Sequence, residues 1–462
     1  MKRVQVIWFR RDLRLDDNLI LNQEFNNPLL PIFIFDVNIL KNLPENDVRI
    51  TFIFDQVLKL KEDLKKTHLD LAIFYGKPSE VFDYISNNFE IVEIICSSDN
   101  DPYSIQRDSE ISKKFNLKIV FDNFLIEPAK VQSKQGSIFT IFTHFKNAVT
   151  SIVDEFRYYN PFELKRANLA EYGLYDKIVQ LNGATACQAP LEIDSIGFKR
   201  QKINFEGASK TPQELLEEFS KSVAKYNEIR NYPSIRGTSL LSTHLRFGTI
   251  SIRIVAKWGL KQNALGFVSE LIWREFFNYL LFHHPETIKE NLQKNVIVEW
   301  KNNPEHIRRW ENAETGIPLV DAGIRELVET GNMHNRVRMV VASLLTKNLL
   351  IDWRYGEEFF AKHLFDYEIS SNVGNWQWVA GVGTDPRSAT RIFNPFLQSQ
   401  KFDPNCDYIY KFVPELTKIP PEKIHNPEFI LNSNIQGYVK PIIKDLQASS
   451  LAFKISYKRI KS

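Results

Sequence analysis

Residues 4–9 read VQVIWF and residues 10–12 read RRD, so a short β-rich run ends abruptly in charged residues. Similar short runs recur at 31–35, 71–75, 91–95 and 118–121. Helical stretches lie between several of them, at 53–66 and 79–88. Strands that alternate with helices indicate an α/β unit with a mostly parallel, Rossmann-like sheet covered on both faces.

No G-x-G-x-x-G follows the first run, so the sequence does not support a dinucleotide site there. The run at 4–9 is also too short for a signal peptide, and no segment approaches the ~20 apolar residues of a membrane helix. The α/β unit is therefore expected to be structural, with room for a small molecule at its strand ends.

The pattern changes twice along the chain. Between 129 and 204 it weakens, which predicts a long connection with some helix, and after about 205 long amphipathic windows dominate, at 212–227, 264–282 and 320–350. We therefore predict an α/β unit at 1–128, a connection at 129–204 and a large all-α unit at 205–462. The chain of 462 residues is long enough for this division.

Charge is distributed unevenly along the chain. The net charge is −5 for residues 1–128 and +8 for the remainder, within a total of +3. A polyanion would therefore meet the later part of the chain. The three cysteines share no metal-ligand spacing and their odd number argues against a disulfide framework, so a reducing cytoplasm is expected and no metal site is predicted.

One helix of the later part carries an unusual face. Glu270, Trp273, Arg274 and Phe277 are spaced i, i+3, i+4 and i+7, so they share one side. The set suits a pocket that stacks a flat base and hydrogen-bonds its edge. An amphipathic helix with a salt bridge explains it equally well.

Two further stretches are ambiguous when taken alone. Asn335 and Met339 are spaced i, i+4 and could contact a ring through an amide and a soft thioether, or belong to an ordinary helix. The stretch GTSLLS at 237–242 precedes a helical window and could bind a pyrophosphate, or simply cap the helix.

In combination, these stretches resemble the cryptochrome/photolyase family across nearly the whole chain. The motifs that carry the resemblance stand in the family's order: WFRRDLRL at 8–15, GTSLLS at 237–242, LRFGTIS at 245–251, ELIWREF at 270–276, MHNRVRM at 333–339, NWQW at 375–378 and RIFNP at 391–395. The chain is identified as a member of the class I cyclobutane pyrimidine dimer photolyases.

The resemblance implies a U-shaped FAD in the helical part, in its reduced form FADH⁻. The implied cofactor-binding residues are Tyr226, Thr238, Ser239, Leu240, Leu241, Ser242, Arg274, Arg338, Asp366, Tyr367, Glu368 and Asn372. Arg338 would pair with Asp366, and Asn372 would lie beside flavin N5. Because an amide cannot deliver a proton as an acid can, Asn372 should favour the reduced anionic flavin of photolyases over the protonated form of plant cryptochromes, which carry Asp there.

The substrate implied is UV-damaged DNA, in which a dimer flips out of the stack and receives an electron from excited FADH⁻. The implied catalytic residues are Glu270, Asn335, Met339 and Asn372. The implied DNA-binding residues are Arg230, Glu270, Trp273, Arg274, Asn335, Arg336, Trp378, Arg391 and Gln398. The 6-4 photoproduct enzymes place histidines at positions 335 and 339, because their chemistry needs proton transfer. Trp300, Trp353 and Trp376 match the family's electron-hopping chain.

The sequence departs from the family at three places. Leu240 replaces a common basic residue of the phosphate loop, and Glu368 stands where Asp is usual. A second, antenna chromophore is implied, and the stretch 101–108 is closer to deazaflavin-type than folate-type relatives, with Ser104 in place of an acidic folate contact. A monomer is expected. The alternative hypotheses are a cryptochrome-type blue-light receptor, a 6-4 lyase and a flavin-binding scaffold without activity.

Overall fold

A computed structural model of the chain describes residues 1–133, 136–165, 167–183, 185–384 and 390–460. It forms two compact units, each assembled from separate stretches of sequence. The first unit takes Met1–Lys130, Ser151–Leu215 and Leu240–Lys261, and the second takes Val131–Thr150, Leu216–Ser239 and Gln262–Ser462. The predicted division at 128/129 and 204/205 stays a prediction.

The first unit is built on a seven-stranded sheet in the order β5-β4-β1-β2-β3-β6-β7. Its strands are β1 Lys2–Phe9, β2 Leu29–Asp36, β3 Ala72–Gly76, β4 Phe89–Ser97, β5 Leu117–Val120, β6 Ile178–Asn182 and β7 Thr185–Ala189. Every neighbouring pair is parallel except β6 with β7. The prediction of a mostly parallel sheet is confirmed.

Side chains of the central strand β1 alternate between two apolar cores. Ile7 and Phe9 join one core, while Val6 and Trp8 join the other, on the opposite face of the sheet. This alternation follows from the period of two in a strand, and it explains why the run VQVIWF is almost continuously apolar. The helices up to residue 261 are α1 Val37–Leu40, α2 Val48–Lys65, α3 Pro78–Ser86, α4 Pro102–Ser112, α5 Phe142–Glu155, α6 Glu206–Ser209, α7 Pro212–Ser220, α8 Tyr226–Ile229, α9 Ser242–Phe247 and α10 Ile252–Lys261.

A buried ionic network ties distant stretches of the first unit together. Arg253 on α10 bonds Asp17 at 2.9 Å and Asp122 at 3.0 Å, and Arg14 bonds the second oxygen of Asp122 at 2.7 Å. Each charge therefore has an opposite partner, which is the condition for burying it without a large desolvation cost.

The second unit is helical. Its later helices are α11 Leu265–His283, α12 Pro304–Glu311, α13 Pro318–Thr330, α14 Asn335–Ser343, α15 Trp353–His363, α16 Ile369–Ala380, α17 Pro395–Phe402, α18 Asp407–Phe412, α19 Pro421–Ile424, α20 Pro427–Asn432 and α21 Leu446–Ser456. A two-stranded antiparallel sheet, β8 Val296–Val298 with β9 Tyr457–Arg459, completes it. The predicted fold class, a mostly parallel α/β unit followed by a large helical one, is confirmed. In the described part of the chain, no helix is long and apolar enough to span a membrane.

Two predicted windows are interrupted. The window at 320–350 divides into α13, α14 and a π-helical turn at Leu344–Asn348, because Gly331 ends α13 with a φ of +71° that other residues rarely adopt. The window at 212–227 ends as a helix at Ser220. Within 129–204, the β6–β7 hairpin was not predicted, because β7 is almost wholly exposed and carries no apolar periodicity.

Candidate functional site

A cavity opens among α14, α15 and α16 of the helical unit, and the empty space within it and in its open mouth together is about 550 Å³. Residues that the sequence singled out line it: Asn335, Arg338, Met339, Asp366, Glu368, Asn372 and Trp376. Asn335 is exposed whereas Asn372 and Trp376 are buried, so the cavity runs from the surface into the core. Ala342, Phe360, Leu364 and Val379 supply apolar wall.

Helix geometry brings these side chains together. On α14, Asn335, Arg338 and Met339 are spaced i, i+3 and i+4, and on α16, Asn372 and Trp376 are spaced i, i+4. Each set therefore presents one face to the cavity. Gly356 of α15 makes the approach of α15 to α16 possible, since a Cβ there would lie 2.1 Å from the Trp376 ring.

Arg338 and Asp366 form an ion pair on the cavity wall. The Arg338 Nη2 donates to both carboxylate oxygens of Asp366, at 3.2 and 3.1 Å, and its Nε donates to the Met333 carbonyl at 2.6 Å. The guanidinium is thus fixed in plane and orientation before any ligand arrives.

Glu368, one of the departures from the family pattern, bonds Arg274. The Arg274 Nε and Nη2 donate to the two Glu368 oxygens at 3.1 and 3.3 Å, and Nη1 donates to Glu275 at 3.3 Å. The longer side chain of Glu368 therefore reaches α11, and its carboxylate is shared between the cavity wall and this pair.

Asn372 is oriented by a residue that the sequence reasoning missed. Its Nδ2 donates to the Glu357 carbonyl and to Glu357 Oε1, both at 3.0 Å, and Tyr367 donates its hydroxyl to the same oxygen at 3.2 Å. Burial raises the pKa of the Glu357 carboxyl. Because the amide nitrogen is committed to Glu357, Oδ1 is the atom that Asn372 can offer to a ligand.

The phosphate-loop residues lie in an irregular stretch. Thr238 and Ser239 are half-buried, Leu241 is buried and Ser242 begins α9. Leu240, the second departure, has a φ of +53°, which is uncommon for a bulky side chain. Tyr226 is buried against Phe219 and Phe267, and burial raises its pKa to about 12.

The predicted DNA-binding residues fall outside the lining of the cavity, Asn335 excepted. Arg230 bonds Glu270 at 2.5 Å, and Arg336 donates to Asn231 at 2.7 Å. The Arg391 guanidinium lies 5.4 Å from the Trp378 ring centre, and Gln398 is on α17. Trp273 is stacked against Phe142, a residue that the sequence reasoning did not single out.

The three predicted electron-transfer tryptophans differ in burial. Trp376 and Trp353 are fully buried, and the Trp353 indole nitrogen donates to Asn291 Oδ1 at 3.1 Å. Trp300 is only partly buried, at the edge of the helical core. The set thus runs from a cavity-lining indole to one that solvent reaches.

His334 caps α14 and gives the site a pH dependence. Its Nδ1 accepts from the Arg336 amide at 3.2 Å, and burial lowers its pKa to about 4. A histidine whose folded pKa lies below its unfolded value contributes stability above the unfolded pKa of ~6.5, and that stability is lost as pH falls toward about 4.

We expect the free energy of unfolding to drop by about 2 kcal/mol more between pH 7.5 and 5 in the wild type than in His334→Asn. Asparagine keeps an acceptor for the Arg336 amide but does not titrate. Urea unfolding at both pH values measures the difference. Equal pH slopes would show that His334 is not the titrating group.

A second polar cluster lies in the α/β unit, at the carboxyl ends of β1 and β4. The Arg10 Nη1 donates to both carboxylate oxygens of Asp108, at 2.7 and 2.8 Å, and Asp101 caps α4, which carries the buried Ser104. Within the described residues, the buried atoms here that have no hydrogen-bond partner include Ser97 Oγ, Ser98 Oγ, Asn100 Nδ2 and Arg10 Nε. The chain leaves β1 toward β2 on one side while β4 lies on the other, the topological switch point where open α/β sheets bind ligands.

Comparison with known proteins finds matches that cover both the helical cavity and the polar cluster of the α/β unit. The family pattern described as the FAD binding domain of DNA photolyase matches residues 267–458, and that described as DNA photolyase matches residues 5–164. A deoxyribodipyrimidine photo-lyase from Halobacterium salinarum is 31% identical, over 92% of this chain and 92% of its own length.

Solved structures share the fold. A bacterial class III photolyase from Agrobacterium tumefaciens superposes with a TM-score of 0.81 at 29% identity, covering 99% of this chain and 97% of that one. A cryptochrome from Synechocystis superposes with a TM-score of 0.83 at 25% identity, covering 98% and 99%.

Proposed function

We propose that this chain, which belongs to the photolyase/cryptochrome family, splits cyclobutane pyrimidine dimers in DNA under light. Its FAD-binding domain pattern and its photo-lyase relatives make it a FAD-binding lyase of DNA repair. The splitting of cyclobutane dimers is supported by one observation. Asn335 and Met339, the expected dimer contacts, line the same cavity as Asn372, the expected flavin contact.

The lining of the cavity has the chemistry that a flavin needs. Its walls are apolar at Phe360, Leu364 and Val379, while Arg338, Asp366 and Asn372 supply polar groups. A flat aromatic ring with a hydrogen-bonding edge matches this combination. When bound, reduced FAD supplies the electron that opens the cyclobutane ring after excitation by light.

The chain's own residues then have distinct tasks. Asn372 offers its amide oxygen, because Glu357 holds its nitrogen. As an amide, it has no acidic proton to give. Arg338 places a positive charge at the cavity wall, fixed by Asp366. The buried aromatic and aliphatic walls exclude water, which strengthens these electrostatic contacts.

Glu270 is proposed to hydrogen-bond the dimer during the reaction. Its carboxylate accepts a hydrogen bond from Arg230, which is also an expected DNA contact. When Arg230 turns to a backbone phosphate, the carboxylate becomes available to the lesion and stabilises the charge that develops there.

Glu270→Ala is expected to lower the repair yield about three- to tenfold, since each hydrogen bond to a charged group contributes roughly 1 kcal/mol or more. FAD content should not change. The measurement is the repair quantum yield on dimer-bearing oligothymidylate, with the exposed Glu228→Ala on α8 as the matched control. An unchanged yield would remove Glu270 from the reaction.

Substrate choice rests on positions 335 and 339. Asn335 and Met339 offer an amide and a thioether, and neither can act as a general acid. This suits dimer splitting and not the proton transfer of 6-4 photoproduct repair. Purified protein with reduced FAD should repair cyclobutane dimers in UV-irradiated oligothymidylate under blue light and leave 6-4 photoproducts intact. Repair of 6-4 photoproducts alone, or of neither lesion, would refute the proposal. The class I assignment remains part of this proposal, supported by the order and spacing of the quoted motifs.

The similarity to a cryptochrome favours one second candidate, a blue-light receptor. The two candidates separate in the same assay. A receptor binds FAD and responds to light by a change of absorption, but it leaves dimers in DNA unrepaired.

We propose a second chromophore at the switch point of the α/β sheet. Unpartnered buried hydroxyl and amide atoms of Ser97, Ser98 and Asn100 are the groups that a polar ligand would satisfy there. Both a deazaflavin and a folate remain candidates, and the absorption spectrum of the purified protein distinguishes them. The cytoplasmic location and the monomeric state stay predictions from the sequence.

A further inference from the structure

An aromatic ring from a distant part of the sequence covers the Trp273 indole. The centroids of Phe142 and Trp273 lie 3.6 Å apart and the ring planes differ by only 6°. Isolated aromatic pairs prefer offset or edge-to-face arrangements at 4.5–7 Å, because face-to-face rings repel through their quadrupoles. The surroundings must therefore hold this pair in register.

The start of α5 is docked on α11 on both sides of Phe142. Phe145 packs against Phe276 at 5.3 Å and against Tyr279 at 5.0 Å. The Phe139 amide donates to the Tyr279 hydroxyl at 3.1 Å.

A fourth contact lies one residue beyond Phe145, where Lys146 donates to Ser269 Oγ at 3.1 Å. These contacts flank Phe142 in sequence, so its backbone is held against α11 on both sides. The Phe142 ring is therefore presented to the indole by a docked segment.

The other neighbours of Trp273 come from its own helix. Phe277 is inclined by 28° at 5.6 Å, and Phe276 meets the indole edge-on at 5.8 Å. Neither ring is parallel and in van der Waals contact as Phe142 is. The half-buried indole would otherwise be able to sample other rotamers, so Phe142 is the side chain that fixes its plane.

We propose that Phe142 is a positioning residue of the lesion pocket, which holds the Trp273 indole in the plane that receives the dimer. The inference rests on the proposed function, in which Trp273 contacts the dimer. A side chain that is locked before binding loses no rotamer freedom when the ligand arrives, so the gain appears in affinity for the lesion. Chemistry inside the bound complex does not depend on it.

The test compares Phe142→Leu with Phe139→Leu in the dark. Leucine removes the ring in both variants, but Phe139 packs on Phe145 and Tyr279 and not on Trp273. We expect Phe142→Leu to weaken binding of dimer-bearing oligothymidylate about tenfold, with unchanged affinity for undamaged DNA and unchanged FAD content. Phe139→Leu and Phe142→Tyr, which keeps the ring, should bind the lesion like the wild type.

Repair yield at saturating substrate supplies the second readout, and Phe142→Leu should match the wild type there. Equal lesion affinities of Phe142→Leu and Phe139→Leu would overturn the inference. Tighter binding by Phe142→Leu would also overturn it, by showing that the ring obstructs the pocket. If Phe142→Leu fails to fold, Phe142→Tyr is compared with Phe142→Met, and only the Tyr variant should retain affinity for the lesion.

The outcome is separable from a failure of the proposed function. A wild type that neither binds nor repairs dimers refutes the proposed function. A wild type that repairs dimers, beside a Phe142→Leu variant with unaltered affinity, refutes only the positioning role.

Discussion

Light-driven reduction of the bound flavin should become roughly 100-fold slower in Trp376→Phe, since about 3 kcal/mol of added barrier suffices for such a decrease. A benzene ring is much harder to oxidise than an indole, and Trp376 is the predicted electron-transfer residue that lines the cavity. The measurement is the bleaching of oxidised flavin under blue light with an external reductant.

Trp310→Phe is the matched control for this variant. The Trp310 indole is fully buried, lies 6.3 Å from Trp376 between ring centres, and is absent from the predicted chain of Trp300, Trp353 and Trp376. The same substitution there should leave photoreduction near the wild-type rate. Repair by chemically reduced protein should persist in both variants, and equal photoreduction by both would contradict the assigned route.

Arg274→Leu should lower the free energy of unfolding by about 3–5 kcal/mol, because it removes the guanidinium that pairs with two buried carboxylates. The side chains of Arg274, Glu368 and Glu275 are only 12%, 9% and 3% exposed. Since Glu368 also lines the cavity, we expect FAD to be lost together with stability. Urea unfolding and the FAD content of purified protein measure the two effects.

Arg325→Leu provides the comparison for this loss. Arg325 pairs with Glu415 in the same helical unit, but these side chains are 31% and 24% exposed, so water screens the charge left behind. Its removal should cost about 1 kcal/mol or less and leave FAD bound. A cost for Arg274→Leu as small as this would show that the buried pair does not hold the cavity wall.

Much of the α/β unit could be predicted because buried parallel strands appear in the sequence as short apolar runs. The run at 4–9 corresponds to β1, and the four runs that follow correspond to β2 through β5. The β6–β7 hairpin was not predicted, since the edge strand Thr185–Ala189 is exposed except at Ala189 and leaves no apolar pattern. The docking of 131–150 in the helical unit also leaves no local signal, because it depends on contacts with α11.

In the helical site, too, residues with a local sequence pattern could be predicted, and residues that depend on distant contacts could not. Asn335, Arg338 and Met339 could be placed on one face from their spacing alone, and the structure puts all three on one cavity. Glu357 could not be found, because it is one of two adjacent glutamates and only burial beside Asn372 distinguishes it. Phe142 was missed for a similar reason, since its partner Trp273 is far away in sequence.

In the proposed function, a reduced flavin lies within electron-tunnelling range of a pocket for two fused pyrimidines. The most direct test is the fluorescence lifetime of the fully reduced protein, with and without saturating dimer-bearing oligothymidylate. We expect the lesion to shorten the lifetime markedly, because electron transfer to the dimer competes with emission, while undamaged oligothymidylate leaves it unchanged. A lifetime that does not change when the lesion binds would contradict electron transfer from the flavin to the dimer.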